Sequence, residues 1–416
     1  MALSFGKIGT IRIQTCLMLA YFLAAPIYSV ATGVFGELPA TLLVNFTIAF
    51  FLVLTAYEKA AWKWFFPILI YSCIAVVILS TILIHPDYRD WYFHERYGIV
   101  RSFVDLRSGV VALCIFSLYD NEEELVEDLK VSAIMVFIAY FYKFLLAMRR
   151  GYWLVGSGNG KYVHAAYDME YGYRTLFTAA FFGASGFINK NYRHITFYLL
   201  CVLLILIGGS RGSAIWAVFV IPVACLYRYF SLPLKKKRIV LSLTLVSVIL
   251  FIAIYCERAF FAEVLMTTLD TIGIHSRTID AVMSGSIAST NGRDIIYGMA
   301  IDLIKSGGPF GHGFYGDRLV IGRRFIWGYS HNIFLELFVQ FGYLGGALIS
   351  ALLVWNVIRL FRNCRQDNRQ IIFVTVLIGS MRLLVSNSFW YEPWFWAMVS
   401  LFFWFNKSNV KPISTD

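Results

Sequence analysis

A polytopic bundle of membrane-spanning α-helices is the fold class this sequence of 416 residues predicts. Three observations carry it. Hydrophobic residues make up 59% of the chain and charged residues only 15%, more apolar surface than a water-soluble domain of this length can hide. Apolar runs near the roughly 20 residues that cross a bilayer recur from end to end. Lysines and arginines gather in short loops between those runs, as the distribution of cations across a bilayer requires.

In order, the expected spans are Ile11 to Thr32, Leu38 to Tyr57, Trp64 to Ile84, Arg107 to Tyr119, Val131 to Met148 and Thr175 to Ile188, then Ile195 to Ile207, Ala214 to Phe230, Ile239 to Cys256, Ile333 to Trp355, Ile371 to Val385 and Phe389 to Phe405. That makes about twelve TM helices, or about eleven, since the fourth, sixth and seventh runs are short. The first run lacks an A-x-A cleavage site and reads as a retained helix. In an alternating bundle Lys59 and Lys63, Lys190 and Arg193, the run Lys235 to Arg238, and Arg359, Arg362, Arg365 and Arg369 share one side with Lys7, Lys407 and Lys411. Short basic loops stay cytoplasmic, so both termini are expected inside. The longest polar segment, Glu257 to Tyr329, then lies outside. The domain reading follows: residues 1–256 an N-terminal transmembrane bundle of about nine helices, 257–330 a large external loop containing short helices, and 331–416 the C-terminal helices and a cytoplasmic tail.

Several function classes drop out. The net charge of +11 could suggest nucleic acid, but most of it flanks membrane segments. No cysteine pair has metal-ligand spacing, and D-x-D and H-E-x-x-H are both missing, so neither a metal nor another cofactor is expected. Gly156 to Lys161 imitates a phosphate loop with the wrong glycine spacing. No internal repeat is visible, which counts against a secondary transporter.

The outer side nevertheless keeps many cations, among them Arg174, Arg211, Arg293, Arg318 and Arg323. Orientation signals disfavour them there, so an anion to be held is the expectation. Three constellations stand out. In G-G-S-R-G-S, Gly208 to Ser213, small residues permit a tight turn and Arg211 offers a planar fork for phosphate; the bland reading is an interhelical turn with a snorkelling arginine. In N-G-R-D, Asn291 to Asp294, Asn291 is a candidate helix cap and Arg293 falls in the first turn, where the dipole favours an anion over a cation. A glycine-rich K-S-G-G-P-F-G-H-G-F follows, Lys305 to Phe314. Last comes G-Y-S-H-N, Gly328 to Asn332, opening an apolar helix that carries Glu336 one to two turns deeper. Ionisable groups at membrane depth are functional candidates, and His331 can accept a proton near neutral pH.

S-R-G between two late helices, a long outer loop with G-R and P-F-G-H-G, then S-H-N leading into a helix with G-x-x-G-G together resemble the O-antigen ligase and polymerase superfamily, bacterial inner-membrane proteins that move lipid-linked glycans on the periplasmic face. The resemblance covers about Leu206 to Gly346. It implies that Arg211 and Arg293 clamp the diphosphate of a polyprenyl (undecaprenyl) diphosphate glycan and that His331 is the catalytic base of a metal-independent, inverting transfer. Tyr329 and Asn332 are secondary candidates to orient His331 or the acceptor, with Glu336 beside them; Arg174 and Asp168 are candidates for sugar contact. Tyr171, Tyr173, Phe314, Tyr315 and Trp327 are candidates to stack on sugar rings.

A polymerase passes the growing glycan to a new lipid-linked repeat unit; a ligase passes it to lipid A core. The outer arginines are interleaved with Asp87, Asp90, Glu95, Asp105, Asp168 and Glu170, a poor match to a phosphate-rich core acceptor, so an O-antigen or capsular polysaccharide polymerase is the first expectation. A ligase is the alternative, and a flippase for lipid-linked oligosaccharide a distant third. Expected partners are the lipid-linked donor and acceptor, the bilayer, a chain-length regulator and a flippase, with no nucleic acid.

Overall fold

The computed structural model describes residues 2–4, 10–59, 62–95, 97–156, 162–165, 167–208, 210–231, 263, 267, 292–325, 328–364 and 366–407. Helices dominate, as the apolar patterning predicts. The strands among the described residues form two antiparallel hairpins, β1 (Ala2–Ser4) with β2 (Thr10–Arg12) and β3 (Trp153–Gly156) with β4 (Tyr162–Ala165). The expected ninth span, Ile239 to Cys256, and the basic run before it lie outside the described residues, as do Lys7, Arg96, Lys161, Arg258, Arg277, Arg365 and Lys411.

The chain divides into two compact units interleaved in sequence: residues 1–128, 290–365 and 380–416 form the first, and 129–289 with 366–379 the second. In the first unit α1 (Ile13–Phe22) and α2 (Ala24–Phe35) meet at a 66° bend. Pro26 explains it. Its ring clashes with the carbonyl four residues earlier, at Phe22, where α1 ends. Next come α3 (Glu37–Tyr57) and α4 (Trp62–Ile84), each long enough to cross a bilayer and only 22% buried over its most apolar window. Phe46, Val53, Leu79 and Leu83 are exposed, and an apolar exterior of this kind suits lipid, not water. A short α5 (Arg89–Tyr92) and α6 (Val111–Ser117) follow.

The fourth expected span, Arg107 to Tyr119, is thus reduced to the seven residues of α6, too short to span. Asp105 accepts the backbone N–H of Arg107 at 2.9 Å and its guanidinium at 2.5 Å, which pins a turn where the helix would have begun. At the start of α7 (Glu122–Arg150), buried Asp128 accepts from Arg12 at 2.9 Å, Thr15 at 2.6 Å and Tyr119 at 2.7 Å.

In the second unit α8 (Met169–Asn189) is buried along most of its length, packed by α9 (Tyr192–Ile207) and α10 (Arg211–Ser231). The first unit resumes with α11 (Arg293–Gly307), α12 (Gly316–Ile321) and α13 (Ile333–Asn363); α14 (Asp367–Ser380) belongs to the second, and α15 (Pro393–Lys407) packs on α6 in the first. Among the described residues four helices are long and apolar enough to cross a membrane, α3, α4, α7 and α13, with the bent α1–α2 pair a fifth. This is a membrane protein.

Candidate active site

The mouth of α13 is built by Asn332. In extended backbone, it accepts the N–H groups of Phe334 at 3.0 Å and Leu335 at 3.3 Å, satisfying two of the donors a helix start leaves open. Its amide donates to the Leu384 carbonyl at 3.1 Å, tying the mouth to the turn Met381–Leu384. Asn332 is therefore a structural cap. His331, one residue before, has a φ of +55°, a left-handed conformation that costs a non-glycine residue about 1–2 kcal/mol. Its ring lies 4.4 Å from that of Tyr329. Nδ1 of His331 is buried with no hydrogen-bond partner among the described residues. A histidine held for structure alone would have its buried nitrogen satisfied.

Burial lowers the His331 pKa first, and the charges of Arg293, Arg318 and Arg382 lower it further, to about 4. The imidazole is neutral at pH 7 and can take a proton. Arg293 is the first residue of α11, with Gly292 in the flanking position at φ +81°; Asn291, expected as the cap, lies outside the described residues. A cation there opposes the helix dipole, and its charge acts on His331.

Beneath the mouth is an ionic cluster. Arg318 is fully buried, donating to Asp317 at 2.6 Å, to Glu336 at 3.0 Å and to the Ser388 hydroxyl at 3.0 Å. Glu336 also accepts from Ser388 at 2.5 Å, Gln340 at 3.2 Å and the Phe389 N–H at 3.4 Å. Burial disfavours the charged guanidinium, yet Asp317 and Glu336 more than offset this and hold Arg318 ionised. Glu336 is thus a fully buried anchor for Arg318. Of the three guanidiniums that bear on His331, Arg318 is neutralised by its carboxylates. Arg382 is paired as well, 4.0 Å from Glu392, and of the three Arg293 acts most strongly on the histidine.

The glycine-rich motifs explain one another. Helix α13 breaks at Gly342, with φ +68° and ψ −168°. The carbonyls this frees, Val339 and Gln340, accept the N–H groups of His312 and Gly313 at 2.8 and 2.9 Å, while Tyr343 and Leu344 donate to the carbonyls of Gly308 and Pro309 at 3.1 and 3.2 Å. A Cβ on Gly342 would sit 2.3 Å from the Gly311 nitrogen. P-F-G-H-G and G-x-x-G-G are two halves of a backbone joint that docks the loop onto a broken helix.

Arg211, Arg174 and Asp168 belong to the second unit. Arg211 is the first residue of α10, and the small residues around it serve packing: a Cβ on Gly172 of α8 would lie 2.3 Å from Ser210. Asp168 caps α8 and pairs with Lys143, and Arg174 pairs with Glu170 at 3.3 Å. The aromatic residues proposed to stack on sugars do not fit: Tyr171, Tyr173, Phe314 and Tyr315 are buried in the packing, and Trp327 lies outside the described residues. A groove of about 500 Å³ between α11 and α12 is lined by Asp302, Ser306, Arg323 and Arg324 with Met299, Leu303 and Val320; His331 is not among its walls. Sequence reasoning missed Asp317 and Ser388, which carry no local pattern, and gave Arg318 and Ser330 no part beyond an outer cation and a motif residue; Arg318 and Ser388 lie 70 residues apart.

Residues 196–350 match the family model described as O-antigen ligase, a stretch that contains Arg211, Arg293, His331 and both halves of the joint. No curated protein matches the chain.

Proposed function

From the premise that residues 196–350 carry an O-antigen ligase family domain, we propose that this membrane glycosyltransferase is a polysaccharide polymerase. It works on the periplasmic face of the bacterial inner membrane, in a bundle of about twelve spans with both termini cytoplasmic. The observation that carries the reading is His331: a neutral imidazole with an unsatisfied buried nitrogen, in strained backbone at a helix mouth, under the field of Arg293, Arg318 and Arg382.

The donor is a glycan on a polyprenyl diphosphate. An acceptor hydroxyl attacks the anomeric carbon from the face opposite the diphosphate. The new C–O bond forms as the old one to phosphate breaks, and the hydroxyl proton passes to His331. Arg293 meets the negative charge that develops on the departing diphosphate, stabilisation that acts mainly in the transition state. Arg211 is the other diphosphate contact implied by the family resemblance. Proton acceptance contributes on the order of 100- to 10,000-fold. The diphosphate also offsets the arginine field, so the histidine becomes a stronger base once the donor is bound.

The family description favours a second reading, ligation of a finished glycan to lipid A core. Purified protein in detergent separates the two. With lipid-linked repeat units alone, a lengthening ladder on a gel supports the polymerase; product only when core lipid is added supports the ligase; no transfer under either condition overturns both and favours a carrier.

A further inference from the structure

We propose that Asp317 is a positioning residue that holds His331 in its working conformation; the inference deepens the reading of His331 as the base and rests on it. His331 adopts a left-handed φ that an L-residue leaves unless its neighbours are fixed. On its C-terminal side Asn332 is fixed by the helix cap and by Leu384. On its N-terminal side the fixing group is Asp317. One carboxylate oxygen accepts both the backbone N–H and the hydroxyl of Ser330, each at 3.0 Å. The other oxygen accepts from Arg318 at 2.6 Å, and Arg318 is itself moored to Glu336 and Ser388.

Asp317, Arg318, Ser330 and Glu336 are all fully buried, so bulk water does not replace a lost bond there. A buried arginine needs a counter-charge, and Glu336 already supplies one. What that need does not explain is why Asp317 spends its second oxygen on the residue beside the histidine. With the Ser330 clamp released, the backbone at 331 relaxes to negative φ and the ring turns away from Tyr329 toward solvent. Misplacement of a reacting group by about 1 Å costs roughly 100-fold in rate.

The test uses the full chain in detergent. Asp317→Asn has only one oxygen, so either Ser330 or Arg318 meets an amide N–H₂ in place of an acceptor. Three readings are taken: binding of farnesyl diphosphate, elongation of undecaprenyl-diphosphate glycan extracted from the host membrane, and the NMR titration of His331, assigned with His331→Gln. The expected result is farnesyl diphosphate affinity within about twofold, turnover down roughly 100-fold, and a His331 midpoint that rises from about 4 toward about 6.5. Loss of a nearby negative charge alone would lower the midpoint, so a rise reports the turned ring. Ser330→Ala, which keeps the backbone bond, stays within a few-fold of parental turnover. If Asp317→Asn does not fold, Asp317→Glu shifts the same carboxylate by a methylene and carries the same expected rise. An unmoved or lowered midpoint overturns the proposal. The titration reads the position of the ring whether or not His331 is the base; parental elongation by His331→Gln would defeat the base reading separately.

Discussion

Replacing Arg293 with glutamine should move the acid limb of the reaction to higher pH. The drop of the His331 pKa from 6.5 to about 4 amounts to roughly 3 kcal/mol of proton affinity, at about 1.4 kcal/mol per pH unit. Burial is the largest cause and the three arginines share the rest. Arg318 stays neutralised by Asp317 and Glu336 in the variant. Arg293 therefore accounts for a minority of the drop, about one pH unit or less. Because a cation lowers the histidine pKa, its removal raises it, and at a given acid pH a larger fraction of the base is protonated. The assay is kcat/KM for glycan elongation against pH, whose acid limb reports the free enzyme. The limb should move up from near pH 4 by up to about one unit in Arg293→Gln. In the parental protein the acid limb of kcat, set by the donor complex, should lie above that of kcat/KM, since the bound diphosphate offsets the same field. An acid limb that stays in place in Arg293→Gln, or moves to lower pH, would refute the electrostatic account of the site.

Further outcomes follow from named contacts. Arg211→Lys should weaken turnover by about tenfold or more, because a point charge does not replace a planar fork on phosphate; parental activity in purified Arg211→Lys would remove Arg211 from the donor site. Gly342→Ala puts a methyl 2.3 Å from the Gly311 nitrogen and 2.4 Å from the Pro309 carbonyl at a φ of +68°, overlap with backbone that cannot swing aside. It should open the joint, read as new protease cleavage within residues 308–313. Glu336→Gln leaves the buried arginine with one carboxylate fewer and should destabilise the fold by about 3 kcal/mol, seen as a lowered Tm in detergent.

The fold class was legible because composition alone demands lipid around it, and most helices fall where the apolar runs predict. The fourth span failed for a local reason: Arg107 is chelated by Asp105, and a charge pair two residues apart does not register in hydropathy. At the site, Arg293, His331 and Asn332 could be picked out because each sits at a helix start, where side-chain chemistry and backbone need coincide. The joint could be read only as two glycine motifs; that Gly342 meets Gly308 to Gly313 depends on a helix break that leaves no mark beyond glycine itself. Asp317, Arg318 and Glu336 converge from α12 and α13, and neither a helical period nor a loop motif links them. The stacking role given to Phe314 and Tyr315 failed because aromatic residues in a polar loop look exposed until packing buries them.

The central claim is that His331 takes the acceptor proton while the arginines hold the donor. His331→Ala, purified in detergent and given lipid-linked repeat units, tests it most directly. The account predicts farnesyl diphosphate binding within about twofold of the parental protein and a loss of elongation of at least about 100-fold. Elongation at the parental rate would contradict it.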